Sequence, residues 1–268
     1  MSSVNGPSGV TPLEGMLAAL GAEDAPTGFE LGVLKALGIT QSRYDTYALV
    51  DSPAGGLYVA GNGRALTGAT LAAVVADRRE FEEKHLARTG RSVISAADPP
   101  AGVRPALRTG RASGVAIDLA GLSALEQAVL GAVRRIPRGQ IRPVSWVAHE
   151  AGLAGTAPVA EALARNPVHV LIPCHRVADD SGRPYDAAYG RDVGDALRRA
   201  EGIDPEYVES LTRLKMVFLG SDTTHIYCHP TCAHARRITP PHRVPFRSAA
   251  EARHAGYRPC KSCRPVPA

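Results

Sequence analysis

Five cysteines are the residues of this chain best placed to do chemistry, and they fall in three groups. Cys174 stands alone in Pro173-Cys174-His175-Arg176-Val177, at the end of the apolar run 168–172. The other four form Cys228-x3-Cys232 and Cys260-x2-Cys263, divided by a basic spacer that includes Arg236, Arg237, Arg243, Arg247 and Arg253. A thiol beside an imidazole can be activated as a thiolate, the nucleophilic form of sulfur. Two close cysteine pairs have the spacing of a tetrahedral structural zinc. The pattern predicts one nucleophile, Cys174, and one zinc centre made by Cys228, Cys232, Cys260 and Cys263.

Composition bounds what surrounds them. At 268 residues and 44% hydrophobic content the chain has apolar surface for more than one core. No stretch approaches the roughly 20 apolar residues needed to cross a bilayer, and the N-terminus lacks a basic segment followed by an apolar one. A cytoplasmic protein with no membrane partner is the expectation, and the wealth of Ala, Arg and Gly suggests a bacterial source. In a reducing compartment cysteines serve as ligands or nucleophiles more often than as disulfides. The formal net charge of +5 suits a polyanion and a nucleoid-associated location.

The elements that must hold these residues read as α+β in four parts. Residues 1–42, rich in Gly, Pro, Ser and Ala, form a flexible tail with one helical stretch at 31–37. A small N-terminal α/β domain, 43–112, has strands at 47–50 and 57–60 joined by Ser52-Pro53-Ala54-Gly55-Gly56, then helical spacing over 71–89. Residues 97–114 read as a Pro-, Gly- and Arg-rich connector. In the third part, 113–205, Leu122, Leu125, Val129, Leu130 and Val133 predict a helix that stops at Ile136-Pro137-Arg138-Gly139. Further helices at 144–151 and 158–165, with Pro158 in the first turn of the latter, flank the turn Ala154-Gly155-Thr156. That is the outline of a helix-turn-helix, and equally of an ordinary helical hairpin. Asn166-Pro167 closes the third helix and the chain runs on to Cys174, which puts the thiol behind a potential DNA-reading helix. The fourth part, 215–266, is a small zinc-stabilised α+β domain.

Arg135-Ile136-Pro137-Arg138-Gly139, Asn166-Pro167-Val168, Leu171-Ile172-Pro173-Cys174-His175-Arg176-Val177 and Glu201-Gly202 are similar in order and spacing to the O6-alkylguanine-DNA alkyltransferases. The resemblance runs over 44–204. It implies a single-turnover methylated-DNA–protein-cysteine methyltransferase, without cofactor in this half, acting as a monomer on double-stranded DNA that carries alkyl damage. By position Cys174 is the acceptor, His175 the base that takes its proton through a water, Glu201 the group that orients the imidazole, and Asn166 a residue that fixes the loop. Three positions depart from the family pattern. Val144, Ala157 and Ala187 stand where the family carries a tyrosine, an arginine and a second tyrosine that help push the damaged nucleotide out of the helix. Unstacking costs a few kcal/mol per base, so efficient repair of duplex guanine is in doubt.

The stretches 219–232 and 256–265 resemble the zinc domain of Ada-type methyl-phosphotriester acceptors, here placed after its partner. The resemblance implies that Cys228 is both a zinc ligand and a second methyl acceptor, and that Thr224 and Arg258 lie near DNA phosphate. Arg165, ending the third predicted helix, completes the candidate DNA contacts. Ser262 stands where the family often has arginine. His225, His229 and His234 crowd the first cysteine pair and are expected to face solvent or phosphate. Four thiolates on one Zn²⁺ sum to −2 and fall to −1 when one is alkylated, so methylation should tighten the grip of the basic spacer on DNA. Two functions follow: a DNA-repair methyl acceptor with two distinct thiols, or a DNA-binding alkylation sensor with little base repair.

Overall fold

β-Branched and aromatic side chains recur between residues 45 and 71, and an antiparallel meander forms there: β1 (Asp45–Ser52), β2 (Gly55–Gly61) and β3 (Leu66–Leu71). The computed structural model describes residues 28–266. α1 (Phe29–Ala36) is the expected helical stretch, and the part of the predicted tail before residue 28 lies outside the described residues. A short β4 (Val93–Ser95) adds in parallel to β1, giving the order β3-β2-β1-β4.

Two sequence expectations are corrected here. The helical spacing over 71–89 spans three elements: Leu71 ends β3, Ala72–Val74 make a 3-10 turn, and α2 (Arg78–Thr89) starts only at Asp77. The Asp77 carboxylate accepts the Glu80 N–H at 2.9 Å, which satisfies one of the free donors of the first turn and fixes the helix start. The supposed connector 97–114 contains α3 (Val103–Thr109) between Gly102 and Gly110, with φ of +82° and +66°. Glycine takes that left-handed conformation without a Cβ clash, so these two residues frame a helix where composition alone suggested a break.

The predicted helices of the third part are present as α4 (Ala124–Arg134), α5 (Val144–Glu150) and α6 (Ala157–Ala164). Ser123 and Glu126 form a reciprocal capping box that starts α4. α7 (Arg191–Ala200) and α8 (Pro205–Arg213) follow the Cys174 motif. A single apolar core runs from Val59 and Leu71 of the first sheet through Val133 and Leu163 to Ile172 and Cys174, so sheet and helices bury their faces against each other. The C-terminal part is a second sheet, β10-β8-β7-β9, built from β7 (Phe218–Ser221), β8 (Ile226–Cys228), β9 (Arg243–Phe246) and β10 (Arg258–Pro259), with α9 (Ala249–His254) over Phe218, Tyr227 and Phe246. No helix among the described residues is long and apolar enough to cross a membrane.

The first sheet is closed by a buried charge cluster. Asp45, fully buried, accepts from Thr67 Oγ1 at 2.7 Å, His85 Nε2 at 2.9 Å and Arg91 Nε at 2.6 Å. Burial pushes its carboxyl up, but those bonds and the Arg91 charge outweigh burial and hold it at about 2. A carboxyl lowered on folding contributes stability above its unfolded value and loses it as pH falls through the folded one. Asp45→Asn should therefore lower stability by about 3–5 kcal/mol at neutral pH, because Arg91 is left half-buried without its partner. Thermal melts from about pH 5 to about pH 2 should show the gap between variant and wild type closing as the wild-type carboxyl protonates.

Candidate active site and metal centre

Asn166 organises the loop that carries the thiol. Its Oδ1 accepts the Val168 N–H at 2.9 Å, and its amide donates to Ile172 O at 3.1 Å and to Cys174 Sγ at 3.1 Å. The first sheet holds the same loop from the other side: Ala69 N–H donates to Pro167 O at 2.9 Å and His169 N–H to Ala69 O at 2.8 Å. Val170 sits at φ +66°, a conformation that costs a β-branched residue about 1–3 kcal/mol and persists where surrounding bonds over-determine it.

Cys174 opens a 3-10 turn, Cys174–Arg176, and is 1% exposed. Its thiol points at Leu163 O of α6, 4.0 Å away, which places it behind that helix as the sequence implies. The sulfur is sealed. Burial pushes its pKa up to about 12, against the pull of the Asn166 amide, so the resting group is a protonated thiol.

His175, also 1% exposed, donates from Nε2 to Glu201 Oε1 at 2.9 Å, and its Nδ1 has no partner among the described residues. Glu201 caps the C-terminal end of α7 and receives Arg176 Nη2 at 2.7 Å, Arg176 Nε at 3.0 Å and the Gly139 N–H at 3.0 Å. Burial raises the Glu201 carboxyl, but its bonds to His175 and Arg176 prevail and hold it at about 2. Burial lowers the His175 imidazole despite the Glu201 bond. The ring is thus neutral, its proton is on the nitrogen facing the carboxylate, and Nδ1 keeps a free lone pair. No hydrogen bond joins Sγ to His175 among the described residues. Arg176, quoted in the motif without a role, is what sequence reasoning missed: it ties Glu201 to Ile136 O and Gly110 O, at 2.7 and 2.9 Å.

The three departures differ in exposure. Ala157, at the start of α6, and Ala187 are exposed, and Val144, at the start of α5, is half-buried. Of the tyrosines flanking Ala187, Tyr185 donates to Ala160 O of α6 at 2.9 Å, and Tyr189 is buried with its hydroxyl unpartnered among the described residues. Arg165 is exposed but bonded to Glu126 at 3.1 Å.

The second site lies in the C-terminal sheet. Parallel pairing of Pro259 with Tyr227 sets Cys260 beside Cys228, and turns bring in Cys232, through its N–H to His229 O at 2.9 Å, and Cys263. The four Sγ atoms lie within 4.8 Å of one another and all four residues are buried. Zn–S bonds of about 2.3 Å in a tetrahedron require sulfurs about 3.8 Å apart, so the thiols fit zinc. Over Cys228 opens a groove of about 550 Å³ lined by Thr224, Arg237, Arg258, Lys261 and Ser262, with no carboxylate in its wall. His225 and His234 are exposed as expected. His229 corrects the expectation for its group: it is 3% exposed, and burial, with Arg142 close by, holds its imidazole down at about 3.

Fold and site together define a buried Cys174–His175–Glu201 unit joined to a four-cysteine domain. Residues 124–203 match the family described as 6-O-methylguanine DNA methyltransferase, DNA binding domain, and residues 212–266 match the metal binding domain of Ada. A methylated-DNA–protein-cysteine methyltransferase of Mycobacterium bovis is 31% identical over 140 residues, 51% of this chain and 80% of that protein. One from Methanothermobacter thermautotrophicus is 36% identical over 90 residues, 34% of this chain, and there the match spans 51% of the relative's length. Among solved structures, Mycobacterium tuberculosis OGT in complex with DNA has a TM-score of 0.46 at 26% identity, covering 61% of this chain and 98% of that one. The chain belongs to the methylated-DNA–protein-cysteine methyltransferase family. Its C-terminal domain is of the zinc-binding kind, and Cys228, Cys232, Cys260 and Cys263 are clustered so that they could hold the metal.

Proposed function

We propose that the chain repairs alkylated DNA by taking the alkyl group of O6-alkylguanine onto Cys174, once per molecule. The observation that carries this reading is the free Nδ1 of a neutral His175 held by Glu201 in the residue next to a protonated, buried thiol. The sulfur forms a bond to the alkyl carbon as the carbon–O6 bond breaks. Its proton passes to His175 Nδ1 and then to the departing guanine, which leaves as the neutral base. Nothing converts the thioether back to the thiol, so the protein is consumed. Burial keeps the resting thiol unreactive toward chance electrophiles, and ionisation is coupled to arrival of the substrate.

Cys228 is the second acceptor in this reading, taking a methyl group from a backbone phosphotriester in the basic groove. Zinc, when bound, keeps that sulfur as a thiolate. Arg237, Arg258 and Lys261 position the phosphate. DNA carrying such damage is the partner, and the chain acts as a monomer in the bacterial cytoplasm. The exposed Ala157 and Ala187 favour a second reading, in which the chain senses alkylation and repairs bases slowly.

Single-turnover loss of O6-methylguanine from a duplex under excess protein tests the leading reading. One equivalent removed per chain supports it, and no removal sinks it. Ala157→Arg, which puts a long cation where a displaced nucleotide would leave a gap, should speed that loss by about tenfold or more, since the help it supplies is set against an unstacking cost of a few kcal/mol. An unchanged rate would separate Ala157 from the slow step.

A further inference from the structure

Arg142 and Arg198 are the largest fully buried side chains of the described residues; Arg142 is 2% exposed and, unlike Arg198, has no carboxylate paired with it among them. Its guanidinium donates to Ile141 O at 2.9 Å and to Gln140 Oε1, lies 5.7 Å from the Trp146 ring centroid, and leaves Nε unpartnered. A buried cation without a counter-charge is costly enough that proteins rarely keep one. The residue before it is clasped by the zinc domain: the Ile141 N–H donates to Thr231 Oγ1 at 2.7 Å, and Thr231 Oγ1 donates to Ile141 O at 3.3 Å. Thr231 lies between the ligands Cys228 and Cys232. Burial works against the charge of the guanidinium, and the sulfurs of Cys263, Cys232, Cys260 and Cys228 work in its favour. Arg142 thus lies in the helical half of the chain, one residue from the bonds that tie that half to the loop between two of the cysteines.

We propose that Arg142 is the counter-ion of the zinc tetrathiolate centre, an outer-shell positioning residue supplied by the alkyl-acceptor half, so that the charge state of the centre is coupled to the strand beside Cys174. Arg142 begins β5 (Arg142–Pro143), which pairs in parallel with β6 (Val177–Ala178), Arg142 opposite Val177 directly after the Cys174–Arg176 turn. A −2 centre compensates the buried cation, and a folded zinc domain is what keeps that cation covered. The proposal rests on zinc at the four cysteines and stands whether or not Cys228 accepts methyl groups.

The test uses the intact chain with Arg142→Met, which removes the charge at similar length, and Arg142→Lys, which keeps it. With zinc bound, Arg142→Met should release metal to a competing chelator about 10–100 times faster, the range that loss of an outer-shell partner costs. In cobalt-substituted protein its thiolate-to-metal charge-transfer band should move to lower energy, and Arg142→Lys should bring both readings back toward wild type. In metal-free protein the difference should vanish: once residues 215–266 no longer cover it, Arg142 is open to water, and Arg142→Met should melt as wild type does. A packing role alone predicts equal destabilisation with and without metal and an unmoved band. Either result, or wild-type metal release from Arg142→Met, overturns the proposal. Failure of wild type to bind zinc at all would strike the metal assignment instead.

Discussion

Stripping the metal from the intact chain at neutral pH should unfold residues 215–266. The second sheet has few apolar residues to hold it: Phe218, Tyr227, Phe246 and Tyr257 form one small cluster, and the cysteines themselves form the centre of the other. A domain of this size lacks the buried surface to offset its chain entropy, and a four-cysteine zinc site supplies roughly 10–16 kcal/mol of apparent binding energy that becomes folding energy. Limited proteolysis reads the effect. Arg243, Arg247 and Arg253, exposed on structured segments, should become rapid trypsin sites after chelation and recover protection when zinc is restored. Unchanged cleavage would mean that the sheet stands without metal, and the fit of the four sulfurs would then be incidental to stability.

Cys174→Ser should abolish alkyl transfer from guanine while leaving the fold intact. Serine keeps the size, the Asn166 bond and the contact with Leu163 O, but its hydroxyl is far less acidic and far less nucleophilic than a thiol. Replacing a nucleophile in a site that acts as a unit lowers rates by about 10⁶-fold, so loss of O6-methylguanine should fall below detection. The melting temperature should stay close to wild type. A variant that still cleared the lesion would place the acceptor elsewhere. A variant that unfolded would say only that the sulfur is needed for packing, and Cys174→Ala, smaller and without polar demands, would then separate the two roles by its own melt and transfer rate.

What was legible in the sequence was local. The thiol, its histidine and the paired cysteines announce themselves because spacing along the chain is the chemistry: Cys228 and Cys232 lie one turn apart, and so do Cys260 and Cys263. The helices around 124–164 were readable because apolar side chains recur at helical intervals and Pro158 sits in the first turn of the last. β3 and α3 were not. Leu66–Leu71 is buried nearly throughout and carries no alternation, so its strand character comes from pairing with β2 rather than from pattern. α3 hides between glycines and around Pro105, residues that usually signal a break.

The least legible part was the buried charge. Arg176 finds Glu201 across 25 positions, Arg198 bonds Asp186 and the His175 carbonyl, and Arg142 is buried beside Ile141, which bonds Thr231 90 residues away. Each reads in sequence as one more surface cation of a basic protein. Only tertiary contact shows that Arg176 and Arg198 hold the turn at Cys174 and that Arg142 is buried. The role of the first sheet was equally hidden: the bonds between Ala69 and the 167–169 backbone make it one wall of the acceptor loop.

Peptide mapping by mass spectrometry, after incubation with a duplex holding one O6-methylguanine, tests the account at its centre. Wild-type protein should carry one added methyl on the peptide that contains Cys174, in step with loss of the lesion, and none on that peptide in Cys174→Ser. An unmodified Cys174 after prolonged exposure, with the lesion still in the DNA, would contradict it.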